Sequence, residues 1–283
     1  MVDAFIPGSK FAAVSITGSN CWLNCKYCMG KYLKGMEATP TPYDLKAFAK
    51  KFHKQGGRGI LISGGFTPEG KLPLTPFLQA IRDIKRDYDF VISVHPGIVS
   101  KDDAENLRLA GVDIVNFEFT LSNYTIKWLK NLKDRNSVDF ASSLKYLYER
   151  GPPYIAPHIL MGLPTVGAEP ALEEIEFLKD YDPYVTVFLV FIPTEGTALS
   201  KAKPSSIDHI VDILQKAGNL LIGELGLGCM RPVSYKNNLD MIVIEKNLVE
   251  RIAVPHLSTI TKYGLRKYDA CCSVPRDLLD RFL

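Results

Sequence analysis

A chain of 283 residues with 46% hydrophobic and 23% charged content has the balance of an ordinary globular protein, and its length does not require a second domain. A net charge of +3 from scattered lysines and arginines gives no argument for nucleic acid as a partner. No apolar run reaches the ~18 residues of a membrane span and no basic leader precedes a long apolar stretch, so a cytoplasmic protein without a membrane partner is expected.

The first apolar run, FAAVSIT (11–17), predicts a strand, and the loop after it carries three cysteines. TPYDLKAFAKKFHKQG then predicts a helix, with Thr-Pro at its start and Gly56 at its stop. GILISG (59–64), FVISVH (90–95) and VDIVNFEF (112–119) are the next strands, separated by the helical stretches LTPFLQAIRDIKRDY and SKDDAENLRLAG. The helix SVDFASSLKYLYERG leads to the strand YIAPHILMG (154–162). EPALEEIEFLKDY, VTVFLVFI (185–192) and SSIDHIVDILQKAGNLLIGE continue the alternation as helix, strand and helix. Short runs rich in β-branched residues suit strands buried on both faces of a parallel sheet. The expected fold class is α/β: a partial or full (β/α) TIM-type barrel, with a doubly wound open sheet as the competing arrangement. Beyond residue 222 the pattern loosens. LGLGCMRPVSYKNNLDMIVIE reads as further strands and CCSVPRDLLDRFL as a tail ending in a short helix. Residues 1–222 are taken as the barrel core and 223–283 as a C-terminal extension completing it.

Cys21, Cys25 and Cys28 are spaced Cys-x3-Cys-x2-Cys in the loop after the first strand. In a (β/α) barrel that loop opens on the C-terminal face of the strands, where active sites collect. Clustered thiols in a reducing compartment point to metal or catalysis before disulfides. Structural zinc asks for four closed positions, and His53, the nearest histidine, lies in a predicted helix without a partner at zinc spacing. A 4Fe-4S cubane held by three thiolates leaves one iron open to a substrate or cofactor. An open iron–sulfur cluster is therefore the leading reading, with zinc and unligated core cysteines as alternatives.

The spacing, with the aromatic Tyr27 before its last cysteine, resembles the signature of the radical S-adenosylmethionine (SAM) enzymes. The resemblance implies that SAM chelates the open iron. One electron then breaks its S–C5′ bond, and a deoxyadenosyl radical takes hydrogen from an unactivated carbon. LISGGFTPEG resembles the family's glycine-rich element, with Ser63, Gly64 and Gly65 near the SAM amino group; Phe66 stands where the family usually has an acidic residue. HILMGLPTVG resembles the segment along adenine and ribose, with Ile159, Gly162 and Leu163 as candidates. VFIPTEGTAL, with Pro193, resembles the sixth-strand element of biotin synthase and its relatives. AGVDIVNFEFT resembles their fourth strand, and alternation puts Asn116, Glu118 and Thr120 on one side of it. His95 and His158 are weighed equally as substrate contacts and as satisfied strand histidines, while His209 and His256 are read as structural.

Cys229, Cys271 and Cys272 remain, the last two adjacent in the polar setting KYDACCSVP. They are read as ligands of an auxiliary iron–sulfur cluster, against the alternative of buried apolar thiols. Arg231 and Ser273 are the local candidates for a noncysteine ligand. SITGSNCWLNCKYCMGKYLKGM, LGCMRP and CCSVP together resemble an archaeal group of biotin-synthase homologues that includes a two-protein lipoyl synthase. That resemblance implies a sulfurtransferase inserting sulfur into an octanoyl chain, with the auxiliary cluster as donor. Its implied partners are an octanoylated carrier (H protein or lipoyl domain), a second radical SAM subunit and an electron donor such as ferredoxin. A biotin synthase-like lyase, mutase or maturase acting on a free small molecule is the alternative. A noncatalytic iron–sulfur or zinc protein is the third reading.

Overall fold

A computed structural model of the chain describes residues 2–164 and 168–283, and forms one open, curled, all-parallel sheet with helices along its convex side. The strands are β1 (Asp3–Phe5), β2 (Phe11–Ser15), β3 (Glu37–Ala38), β4 (Gly59–Ser63), β5 (Val91–Val94) and β6 (Ile114–Glu118). β7 (Tyr154–Met161), β8 (Val185–Val190), β9 (Glu224–Leu227), β10 (Arg251–Ala253) and β11 (Arg266–Tyr268) follow. Their spatial order is β11-β1-β10-β9-β8-β7-β6-β5-β4-β2-β3, the half-barrel form of the expected (β/α) architecture.

The helices are α1 (Pro42–Lys54), α2 (Leu78–Tyr88), α3 (Lys101–Leu109), α4 (Ser137–Arg150), α5 (Pro170–Leu178), α6 (Ile207–Leu220), α7 (Val233–Glu245) and α8 (Leu257–Tyr263). α1 starts where the Thr-Pro signal puts it. The Thr41 hydroxyl accepts from Asp44 N at 3.1 Å, and the Asp44 carboxylate returns a bond to Thr41 N. Among the described residues no helix is long and apolar enough to cross a membrane.

Strand parity sorts the core into two layers. Ile60, Ile62, Ile92, Val94, Val115, Phe117, Ile159 and Phe188 pack towards the helices, within the larger apolar cluster. Phe11, Val91, Ile114, Ala156, Val185 and Val187 face the concave side, where they meet Ala270, Cys272, Val274, Leu279 and Phe282 of the C-terminal tail. The tail crosses the concavity from β11 back to β2, ending with Phe282 5.7 Å from Phe11. It therefore floors the half-barrel and leaves the C-terminal ends of the strands open.

One expectation for the last sixty residues changes, and the short helix expected at the end of the tail is present. The run DMIVIE, read as strand, is the end of α7. Leu239, Asp240 and Val243 recur at helical spacing on its buried face, and packing outweighs the β-branched composition. The tail ends in a 3-10 helix, Arg276–Phe282. Residues 223–283 also add β9, β10 and β11 to the same sheet, and β1 enters between the last two.

Candidate active site

The cysteine loop leaves β2 and turns over the C-terminal ends of the strands. Gly65, just after β4, has room for no side chain: a Cβ there would lie 1.9 Å from Asn20 O and 2.5 Å from Cys21 Cα. Its amide donates to Thr17 Oγ1 at 2.6 Å, so the glycine-rich element braces the cysteine loop. Gly30, at φ +70°, closes the loop in the left-handed region, with its Cβ position 3.4 Å from Cys21 Cβ.

Cys25 is buried, while Cys21 and Cys28 are half-buried. Cys25 donates to the carbonyl of Lys130 at 3.7 Å. Cys28 is lowered to about 7, first by a hydrogen bond from Cys25 and also by one from Gly30 N, whereas the same bond to Cys28 raises Cys25. Two of the three thiols thus lie close enough to shift each other in opposite directions. Among the described residues no three His, Cys, Asp or Glu side chains close on a single metal ion. Three soft donors on one loop suit a cluster, whose corners spread its ligands more widely than one ion does.

A polar network joins this loop to β6. Tyr27 donates to Glu118 Oε1 at 3.2 Å, and the Lys130 ammonium lies 2.5 Å from the same oxygen. Burial alone would raise the Glu118 carboxyl; the charge and hydrogen bond of Lys130 outweigh it and hold it below its ordinary value. Lys130 is buried, 5.9 Å from the centroid of the Tyr27 ring. Nothing in the sequence singled it out, because its partners lie in distant segments.

Below Glu118 the concave wall is built from Ser63, His95, Asn116 and His158. His95 Nδ1 and Ser63 Oγ are 3.2 Å apart, and the His95 and His158 rings meet edge to face at 5.9 Å. His158 Nδ1 is 2.9 Å from Ala156 O, a contact that requires the proton on Nδ1 and leaves Nε2 as an acceptor. Burial pushes His95 down to about 3, with His158 adding to the shift, and His158 down to about 4. Asn116 donates to Ser93 Oγ at 2.6 Å, and its own Oδ1 is buried without a partner. Asn116 and Glu118 therefore share the concave side, as alternation required.

Ile159 does not join them. One residue from His158, it points to the helices and is fully buried there, so only its backbone borders the concavity. Gly162 follows at φ +75°, its amide donating to Glu169 Oε2 at 3.2 Å, and Leu163 packs with Leu129 and Phe191 near Tyr27. The last three residues of HILMGLPTVG lie outside the described residues. Pro193 begins a segment that returns to the cysteine loop, where Thr194 Oγ1 is 2.5 Å from Tyr32 OH and Leu199 N donates to Lys26 O at 3.1 Å. Phe66 has no acidic role: its ring packs against Gly97 and its carbonyl accepts from Trp22 N at 3.0 Å.

A small pocket beside Glu118 is lined by Thr120, Lys130, Leu160, Leu163 and Glu174. Glu174 accepts from Thr120 Oγ1 at 2.6 Å and Leu121 N at 3.2 Å, yet burial pushes its carboxyl up to about 8. An unfolded glutamate titrates near ~4.3. Between those values the folded chain keeps a proton that the unfolded chain has lost, so this group makes stability fall as pH rises from about 4 to about 8. Glu174→Gln should therefore gain melting temperature over wild type progressively from pH 5 to pH 8. A gap that is constant or shrinks across that range would show that the carboxyl is ionised when folded.

The second cysteine trio is divided: Cys229 is exposed, whereas Cys271 and Cys272 belong to the concave apolar layer. Cys229 follows β9, and Cys271 and Cys272 lie in the tail after β11. Cys271 is lowered to about 6, first by a hydrogen bond from Cys272, while Cys229 is raised by its surroundings and by Cys271. Ser273 Oγ donates to Cys271 Sγ at 3.2 Å. Arg231 has no such freedom, which removes it as a noncysteine ligand. Its buried guanidinium pairs with Asp240 through Nε and NH2, each at 3.0 Å, and donates to Gly228 O and Ala253 O. Every edge of the fork is committed to holding α7 and β10 together.

The radical SAM superfamily model matches residues 15–178, more than half of the chain. The chain is a member of the radical SAM superfamily. Membership implies a SAM-binding 4Fe-4S cluster in general terms. No curated protein matches the chain. Among solved structures it is similar to methylornithine synthase, with a TM-score of 0.61 at 16% identity over 98% of this chain and 77% of that one. It is also similar to HydG, a maturase of the [FeFe]-hydrogenase, with a TM-score of 0.67 at 12% identity over 95% of this chain and 64% of that one. HydG from Carboxydothermus hydrogenoformans gives 0.64 at 14% identity, over 99% and 70%. At these identities the likeness is one of fold.

Proposed function

We propose that this radical SAM protein acts on a free small molecule held in its concavity, as a biotin synthase-like lyase, mutase or maturase. The observation that carries this reading is the floor. The chain's own tail fills the lower half of the concavity, so the space left for a substrate lies at the C-terminal ends of the strands. Cys21, Cys25 and Cys28 would hold the cluster, which when loaded with SAM supplies a carbon radical able to take a hydrogen atom. The protein's part is to orient and to keep water out. The Tyr27–Glu118–Lys130 network fixes the loop against β6, and two imidazoles kept neutral by burial present hydrogen-bonding edges without charge. Anaerobic enzyme reduced with dithionite should form 5′-deoxyadenosine faster when given an ultrafiltered metabolite fraction. Stimulation by the retained macromolecular fraction alone would overturn this reading.

One observation favours a second reading, sulfur insertion into an octanoyl chain as one subunit of a lipoyl synthase. The thiols of Cys271 and Cys272 border the concave side and influence that of Cys229 after β9, with the Ser273 hydroxyl as the available oxygen donor. An auxiliary cubane there would bring the chain to about eight irons, against about four for one cluster. Four irons, unchanged by Cys271→Ala and Cys272→Ala, would remove this reading. Thiolation of an octanoyl-lysine peptide, alone or with a second radical SAM subunit, would select it.

A further inference from the structure

Three consecutive residues, Leu129, Lys130 and Asn131, all address the cysteine loop. They end a π-helical turn, Thr125–Leu129, in which Lys130 N bonds back to Thr125 O at 2.8 Å. A π turn shifts the hydrogen bonding by one residue, and such turns recur at functional sites. Here the Leu129 carbonyl accepts from Lys26 N at 2.7 Å, and the Lys130 carbonyl accepts from the Cys25 thiol. Asn131 then enters the left-handed region at φ +58°. Its side-chain amide donates to Leu23 O at 2.7 Å and to Asn24 O at 2.9 Å.

Asn24 is itself left-handed, at φ +46°, and the carbonyls of Leu23 and Asn24 converge on one point. Two converging acceptors need one group with two hydrogens, and a primary amide nitrogen supplies both without carrying a charge. The amide oxygen could not take that place, since it would face two other oxygens. On either side of this point the loop has other supports. Gly65 N bonds Thr17 Oγ1 and Phe66 O takes Trp22 N, which secures the stretch around Cys21. Cys28 stands in a turn closed by Cys28 N and Met29 N on Cys25 O. Among the described residues, Asn131 is the one side chain from outside the loop that hydrogen-bonds the backbone of residues 22–25. The place of Cys25 therefore depends on it.

We propose that Asn131 is a positioning residue for the cluster of this loop: by holding the Leu23 and Asn24 carbonyls, it fixes where the Cys25 sulfur stands relative to those of Cys21 and Cys28. The inference rests on the radical SAM reading, which gives the three sulfurs a common metal group to fit. Asn131 is not a ligand itself, so its loss acts on how firmly the cluster is kept. Changes to partners of this kind cost about 10- to 100-fold in metal affinity or activity.

Asn131→Asp keeps the size and the tolerance for left-handed backbone, but sets a carboxylate against two carbonyls. Asn131→Gly keeps the backbone conformation and removes the amide. Asn123→Asp is the control: it adds the same charge nearby, and its bond from Ser137 N asks only for an acceptor. In the metal-free protein, hydrogen exchange across residues 22–28 of Asn131→Asp should speed up by at least about tenfold, with β4 to β8 exchanging as in wild type. In anaerobically reconstituted protein, loss of iron to bathophenanthroline should quicken about tenfold in Asn131→Gly and further in Asn131→Asp, with Asn123→Asp like wild type. SAM cleavage under dithionite should fall in the same order. Wild-type iron retention in Asn131→Gly, or in both Asn131 variants, overturns the positioning role. So does exchange that rises throughout the sheet, which would make Asn131 a support of the whole fold. Equal iron loss in Asn123→Asp overturns it as well, since added charge would then be the cause. Wild-type protein that retains iron yet does not cleave SAM overturns the radical SAM reading and leaves the retention result standing.

Discussion

Cys25→Ala should reduce SAM cleavage by more than ~100-fold, since changes merely next to a metal ligand already cost 10- to 100-fold. Cys25 is the buried member of the first trio, its thiol donating to the Lys130 carbonyl and raised by Cys28 beside it. Its loss removes one donor and also the contact that lowers Cys28 to about 7. The fold should survive, because the loop is also held by Gly65, by Lys26 N to Leu129 O and by Asn131. The measurement is 5′-deoxyadenosine formation under dithionite, with iron content and circular dichroism taken on the same preparation. Wild-type cleavage by a folded variant would mean that these three cysteines do not hold the cluster.

Arg251→Met should be the most destabilising change at the opposite edge of the sheet. The side chain is fully buried on the concave side of β10. It bonds Glu224 at 2.6 Å, Cys272 O at 2.8 Å and Val274 O at 2.6 Å, with Phe5 stacked 5.4 Å from its guanidinium carbon. One residue thus ties three strands to the tail. Methionine keeps most of the apolar stem but leaves two buried carbonyls without a donor and Glu224 with Arg276 as its remaining partner, a loss of about 3–5 kcal/mol. Urea titration should report that loss, and Cys271 and Cys272 should become at least roughly tenfold more reactive to iodoacetamide in the apo protein. Unchanged thiol reactivity would mean that the tail is held by its apolar contacts alone.

How much of this could be read in advance differs by element. β4 to β8 were legible because strands buried on both faces read as unbroken apolar runs, and the Thr-Pro start of α1 is a purely local signal. β1, β10 and β11 were not. Each has three residues, too few for any periodicity, and each exists only through its neighbours in the sheet. The cysteine loop was legible because its chemistry lies in one short stretch. Lys130 and Glu174 were hidden because their partners are distant in sequence and only the folded register brings them together. The Ile159 side chain faces the helices, so only its backbone borders the concavity. Its neighbour His158 pairs with Glu118 across the sheet, and adjacent strand residues face opposite ways.

The insertion of β1 between β10 and β11 sets an order on how the molecule is made. β1 precedes the other strands in the chain, yet its two hydrogen-bonding neighbours, β10 and β11, follow all of them. The half-barrel can build outward from β2 while that first segment waits, and the tail cannot seat until the final strands arrive. During this interval the concave side, with Phe11, Val91 and Ile114, lies open to solvent. Closure of the last edge is then the step that buries this concave layer beneath the tail.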